Sequence, residues 1–176
     1  YMKNAEEIAR YITEDMGKLI TEARSCVAAT KTLMETFLEY AACLDSDVLP
    51  VGNHGKNPND LIITVREPLG VVVAIIPFNW PIDLLAHKSI PALVMGNALI
   101  VKPSSNAPRA GIRFVELMLE AGVPKNAVQI VTGTGSKIGN SLIDDPRVNC
   151  VTLTGSTEVG KQVAEIAGKN LQRTCL

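Results

Sequence analysis

The stretch Gly70-Val71-Val72-Val73-Ala74-Ile75-Ile76-Pro77-Phe78-Asn79-Trp80-Pro81 decides how this chain is read. Its unbroken apolar run, rich in β-branched residues, predicts a buried strand over 71–76. That strand delivers a polar amide, Asn79, between two prolines at its carboxyl end. Open α/β sheets bind ligands just outside the carboxyl ends of their strands. An Asn at such a place can donate hydrogen bonds to a developing oxyanion. A strand end followed by a Pro-rich turn explains the same residues without any chemistry.

Downstream, the rhythm alternates. Helix is expected over 82–95 despite Pro91, strand over 98–101, and helix over 107–121, closed by Gly122 with Pro124 beyond. Strand 127–131, helix 136–143, strand 148–153 and helix 157–167 follow, and residues 171–175 read as the start of another strand. Alternation with short connections implies βαβ units and a parallel sheet. Upstream, Ile8, Ala9, Ile12 and Met16 mark a helix over 5–16 that Gly17 stops. A second helix is expected with Thr21 as its cap and a core stripe of Val27, Thr30, Met34, Phe37, Ala41 and Leu44. Residues 61–65 read as a strand that pairs with 47–51 across the turn-rich stretch 50–60, where His54 is expected to be exposed. The expected fold is therefore α/β, a Rossmann-like open parallel sheet with helices on both faces. Residues 1–46 form N-terminal helices packed on it, 47–66 a hairpin arm, and 67–176 the sheet domain.

The bulk numbers narrow the function. The chain has 176 residues, 47% apolar and 20% charged, with a net charge of −1. That suits an ordinary globular domain and gives no electrostatic footprint for nucleic acid or a charged membrane surface. The apolar runs are strand-sized, so no membrane partner is expected. Cys26, Cys43, Cys150 and Cys175 show no metal or CxxC spacing. They read as reduced core thiols, and a cytoplasmic location is expected.

Three more strand ends carry polar clusters. Lys102-Pro103-Ser104-Ser105 follows strand 98–101, and a fixed ammonium there can hold ribose hydroxyls or a phosphate. A solvated Lys at a strand edge is the plainer reading. Gly133-Thr134-Gly135-Ser136-Lys137-Ile138-Gly139 opens a helix with G-x-G-x-x-x-G spacing, one residue longer than the dinucleotide fingerprint. Thr154-Gly155-Ser156-Thr157-Glu158-Val159-Gly160-Lys161 presents free N–H groups and the Ser156 hydroxyl, an arrangement suited to a pyrophosphate and equally to simple capping. Gly155 through Lys161 imitate a P-loop, but Gln162 stands where a magnesium-binding hydroxyl belongs, which argues against an NTPase. All four clusters should converge on one edge of one sheet.

With these residues in place the chain resembles the aldehyde dehydrogenase superfamily, specifically its NAD(P)-binding domain. The resemblance rests on Glu67-Pro68-Leu69-Gly70-Val71, Pro77-Phe78-Asn79-Trp80-Pro81, Pro91-Ala92-Leu93 with Gly96-Asn97, Lys102-Pro103-Ser104, Gly122-Val123-Pro124 and Thr154 through Gly160, in that order. It implies an NAD(P)-dependent oxidation of an aldehyde to a carboxylic acid. Asn79 then matches the oxyanion donor and Lys102 the residue that holds the adenosine ribose. Ile76, Pro77 and Phe78 match the cleft lining. Gly135 and Gly139 match the turn beside the adenine, and Ser156 the hydroxyl on the pyrophosphate. Val159 matches the apolar residue packed on the adenine, and Ser104 and Gly155, in the same matched segments, and Leu153, directly before the last of them, are expected to touch the cofactor as well. Ser105 falls where NAD-preferring members often carry a Glu, so NADP is expected to be tolerated or preferred. No metal site is implied.

The family's catalytic Cys and general-base Glu match no residue here, and Cys175 stands too early to be the nucleophile. The chain is therefore expected to be a piece of a longer protein, inactive by itself. The complete enzyme is expected to take a small-molecule aldehyde and to be a homodimer or homotetramer. Other readings of the same residues are a non-catalytic nucleotide-binding module and an assembly role for the arm.

Overall fold

The computed structural model describes residues 1–49 and 60–176. The element bounds follow local chemistry closely. Helix α1 (Ala5–Met16) ends on Gly17, whose φ of 75° lets its N–H close back onto the Thr13 carbonyl at 2.8 Å. Helix α2 (Ile20–Ala42) begins before Thr21, so Thr21 lies inside the helix and does not cap it; Leu19, in an extended conformation, is the boundary. The expected stripe of α2 does face inward, but burial fades along it. Val27 and Thr30 are buried, whereas Met34, Phe37 and Ala41 are only partly covered, and Leu44 lies beyond the helix end.

Strands β1 (Val48–Leu49) and β2 (Ile62–Ile63) pair antiparallel, Val48 with Ile63 and Leu49 with Ile62. This is a shorter ladder than the expected 47–51 with 61–65. Residues 50–51 of that pairing, His54 and most of the turn-rich stretch lie outside the described residues.

The main sheet contains β3 (Val71–Ile75), β4 (Ala98–Lys102), β5 (Val128–Ile130), β6 (Val148–Leu153) and β7 (Arg173–Cys175). Their order is β5-β4-β3-β6-β7 and every pairing is parallel. Helices α3 (Asp83–Val94) and α4 (Arg109–Glu120) connect the first three strands. A wide π-type turn over Gly135–Gly139 leads into the short α5 (Asn140–Ile143), so the helix expected over 136–143 is split. Helix α6 (Thr157–Lys169) joins β6 to β7.

Alternation along the strands sorts side chains to two faces. Val72, Ala74, Ile76, Leu99, Val101, Val128 and Cys150 pack with α3 and α4, over which α1 and α2 form a second layer. Val73, Val151 and Leu153 pack with Ile143, Val163 and Ala167 of α5 and α6. The second layer is pinned by charge as well as by apolar contact. Asp15 of α1 accepts the backbone N–H of Arg109 at 3.0 Å, and Arg113 Nε donates to Glu7 at 3.0 Å. Asp15 thus serves the first turn of α4 as a cap from another helix. Two of the four thiols depart from expectation. Cys26 and Cys150 are buried, but Cys43 and Cys175 are exposed, because α2 runs past the core at one end and β7 is an edge strand.

Candidate functional site

The chain lays down β3, β4 and β5 outward in one direction, then returns to place β6 on the other side of β3. The carboxyl ends of β3 and β6 therefore flank the point where the sheet order reverses, the usual ligand crevice of such sheets. Registers make the crevice explicit. Ile75 stands opposite Lys102 on one side and Leu153 on the other. The Thr154 N–H donates to the Ile75 carbonyl at 3.2 Å and the Ile76 N–H to that of Lys102 at 3.0 Å. Three strand ends thus form one level row, and three of the four polar clusters leave from it.

Lys102 is 5% exposed. Its ammonium donates to the Pro103 carbonyl at 3.3 Å, and no carboxylate pairs with it among the described residues. Burial pushes its pKa below the ordinary lysine value. A buried cation without a counter-charge is costly unless something anionic or hydroxyl-rich completes it. Lys102 lines a cavity of about 370 Å³ together with Ile75, Gly135, Ser136, Gly139 and Val159. Asn140, Ile143, Gln162 and Val163 close the remaining walls. At Gly135 and Gly139 a Cβ would meet nothing within 4 Å, so their backbone is open to a ligand.

Ser156 sits at the N-cap of α6 with extended backbone, its hydroxyl accepting the Val159 N–H at 3.3 Å. It lines a neighbouring cavity of about 560 Å³ with Leu153, Thr154, Gly155, Thr157, Gly160 and Lys161. The leading turn of α6 separates the two cavities, since Val159 faces one and Gly160 the other. Ser105 is exposed and donates to the Gly133 carbonyl at 3.3 Å, which ties the loop after β4 to the glycine turn after β5. Ser104 is partly buried and accepts the Asn106 N–H at 3.2 Å.

Pro77, Phe78 and Asn79 leave β3 on a loop that lines neither cavity; Phe78 is 50% exposed, and the Asn79 side-chain amide has no protein partner among the described residues. Ile76 is 3% exposed and packs with the α1–α4 layers. Sequence reasoning missed its neighbour Ile75, which does line the smaller cavity. Period-two alternation from Val73 was the signal available for it. Gln162 and Val163 were missed as well, although they lie one helical turn after Val159.

None of the thiols stands in either cavity. Burial raises the pKa of Cys26, and burial with the nearby Cys175 pushes Cys150 up to about 11, so both are poor nucleophiles. Cys175 opens instead into a separate cleft beside His87, Lys88 and Thr152.

The aldehyde dehydrogenase family model matches residues 1–176, the whole chain. The chain belongs to the aldehyde dehydrogenase family. The 3-sulfolactaldehyde dehydrogenase of Priestia aryabhattai is 38% identical over 167 residues, 95% of this chain and 35% of that protein. The NADP(+) succinate-semialdehyde dehydrogenase of Escherichia coli is 32% identical over 175 residues, 99% of this chain and 36% of that protein. Among solved structures, lactaldehyde dehydrogenase from Escherichia coli superposes with a TM-score of 0.93 at 32% identity, covering 99% of this chain and 36% of that one. A betaine aldehyde dehydrogenase point mutant from Staphylococcus aureus, in complex with NAD+, gives 0.91 at 31% identity over 98% of this chain and 34% of its own. This aldehyde dehydrogenase chain thus spans about a third of the length of the relatives it matches. Its parallel five-stranded sheet is the Rossmann-like α/β fold that the sequence led us to expect. Within the described residues no helix is long and apolar enough to cross a membrane.

Proposed function

We propose that this chain supplies the NAD(P)-binding portion of an enzyme that oxidises a small aldehyde to its carboxylic acid. The row Lys102–Ile75–Leu153 carries the reading, because it sets a buried ammonium, with no carboxylate partner among the described residues, beside a capped helix start at the reversal of the sheet. The adenine end of the dinucleotide lies against Val159, with Gly135 and Gly139 opposite, in the smaller cavity. Lys102 holds ribose hydroxyls, and Ser156 with the first N–H groups of α6 holds the pyrophosphate. Pro77 and Phe78 bound the nicotinamide side through the loop after β3, while Ile76, buried against the helix layers, anchors that loop and does not reach the cofactor. The free amide of Asn79 donates to the substrate oxygen as it becomes an oxyanion, which lowers the barrier to attack. The bound nicotinamide supplies the hydride acceptor.

The chain by itself binds without turnover in this reading, because neither cavity holds a thiol to attack the aldehyde. Ser105 gives the cofactor preference. A carboxylate there would repel a 2′-phosphate, and a hydroxyl does not. The exposed apolar side chains of Val48, Leu49, Leu61, Ile62, Ile63 and Val65 on and beside the β1–β2 ribbon favour subunit contact, as a homodimer or homotetramer.

Calorimetric titration with NADP+ and NAD+ tests the site. Binding is expected for the native chain, with NADP+ at least equal to NAD+, and Lys102→Met is expected to weaken both. Ser105→Glu should lower NADP+ affinity selectively. No binding of either nucleotide, or binding indifferent to Lys102→Met, sinks the assignment.

A further inference from the structure

We propose that Lys18, at the junction of α1 and α2, is a positioning residue for the Asn79 loop. The inference rests on the reading of Asn79 as the oxyanion donor and adds the element that holds it. Lys18 Nζ donates to the Asn79 backbone carbonyl at 2.9 Å across 61 residues of sequence. The same ammonium lies 4.1 Å from the centroid of the Trp80 ring. One half-buried cation therefore engages two consecutive residues of the loop, through a charge-assisted hydrogen bond and a cation–π contact.

The loop needs such a tether. Ile76 anchors its start and Ile82, fully buried, anchors its end, but Phe78, Asn79 and Trp80 between them are all exposed. In the described residues the only side chain from elsewhere that hydrogen-bonds to this exposed segment is Lys18. A held carbonyl fixes the 79–80 peptide plane, and that plane constrains where the Asn79 side chain can reach. The donor itself stays unencumbered, since Lys18 takes the backbone oxygen and leaves the amide free. An oxyanion donor works by being preorganised, so a group that orders its backbone without occupying its side chain acts on catalysis through position alone.

The placement of Lys18 is built into the fold. Gly17, at φ 75°, reverses the chain between α1 and α2 and has open space where a Cβ would stand. Lys18 follows at once, three residues after Asp15, which pairs with Arg109 of α4. Its ammonium has no carboxylate partner among the described residues, so its pairing is with the loop.

Trp80 is the sole tryptophan, which makes the contact readable without enzyme activity. In the cofactor-free chain, Lys18→Met is expected to raise acrylamide quenching of Trp80 and to shift or broaden the Asn79 side-chain and Trp80 indole signals in ¹H–¹⁵N spectra. Signals of Ser156 and Val159 should stay in place. Lys18→Arg, which keeps cation and donor, should restore the native values, and Lys31→Met, an exposed charge loss on α2, should change nothing. Asn79 and Trp80 signals unmoved in Lys18→Met, or lost equally in Lys18→Arg, overturn the proposal. If Lys18→Met fails to fold, the native chain decides. An NOE between the Lys18 side chain and the Trp80 ring supports the contact, and its absence rejects it. NADP+ titration, read at Lys102 and Val159, separates the two ideas. Nucleotide binding with an Asn79 loop indifferent to Lys18 rejects only the tether. A loop that loosens in a chain that binds no nucleotide rejects only the cofactor reading.

Discussion

Two loops leave adjacent parallel strands at the same edge of the sheet, and they are held in opposite ways. The turn after β6 is self-contained: Ser156 caps α6 three residues along, and Gly155 and Gly160 close over the Leu153 side chain. The loop after β3 has no such internal bond between its exposed residues, and its central carbonyl is held by Lys18 from the junction of the first two helices. One is a local device that travels with its sequence. The other exists only when two helices are docked. An anion site tolerates the first kind, since a helix start presents its N–H groups wherever the helix forms. A donor that must meet one developing charge needs the second, because an exposed loop does not order itself against its own conformational entropy.

The sharpest way to break this contrast is to loosen the docking. Ile12 of α1 is fully buried in the core that α1 shares with α2, and Ile12→Ala should cost about 2–5 kcal/mol. Urea unfolding measures that loss. In the folded fraction, Trp80 emission should move while signals of residues 154–157 hold. Equal perturbation of both loops would show that they are held alike.

Next in size is the register that sets the loops side by side. Gly70, at φ 118°, immediately precedes β3, and a Cβ there would collide with the Asn149 side chain, whose Oδ1 accepts the Val71 N–H at 2.8 Å. Gly70→Ala is expected to lose about 1–3 kcal/mol from strain, read by thermal denaturation. Gly122→Ala, strained at φ 102° but in open space, provides the control without a clash.

Ser156→Ala probes the local device alone. It should cost about 1 kcal/mol of stability and weaken nucleotide affinity, while leaving Trp80 quenching unchanged. A shift at Trp80 would mean that the two loops are coupled across the β3–β6 pair.

The smallest effect is a pH dependence. Burial lowers the Lys102 pKa from its ordinary 10.5, so the folded state releases this proton before the unfolded state does. In the window between the lowered value and 10.5 the unfolded chain binds more protons, and stability should rise with pH. Below that window both states are charged and the full cost of burying the ammonium remains. Lys102→Met removes the rise. A bound dinucleotide should diminish it by giving the buried ammonium ribose oxygens to donate to. Denaturant midpoints measured across the alkaline range, with and without NADP+, check the sign.

The amino-acid order alone determined the alternation of strand and helix, the parallel sheet, and the strand ends that carry Asn79, Lys102, Gly135 and Ser156. Those features follow from periodicity and turn chemistry, which act over a few residues. It also placed the ends of α1 and α6 closely, because Gly17 and Ser156 terminate and cap by local geometry. Thr21 failed as a cap because a hydroxyl marks only a possible boundary, and the backbone turned two residues earlier. The exposure of Cys43 and Cys175 escaped the sequence, since apolar neighbours in a chain do not reveal where a helix outruns the core or where a sheet has its edge. Tertiary structure alone decided that Lys102 is buried with no carboxylate partner among the described residues, and that Lys18 reaches Asn79. Each depends on groups far apart in the chain meeting in space, and no local pattern encodes such a meeting.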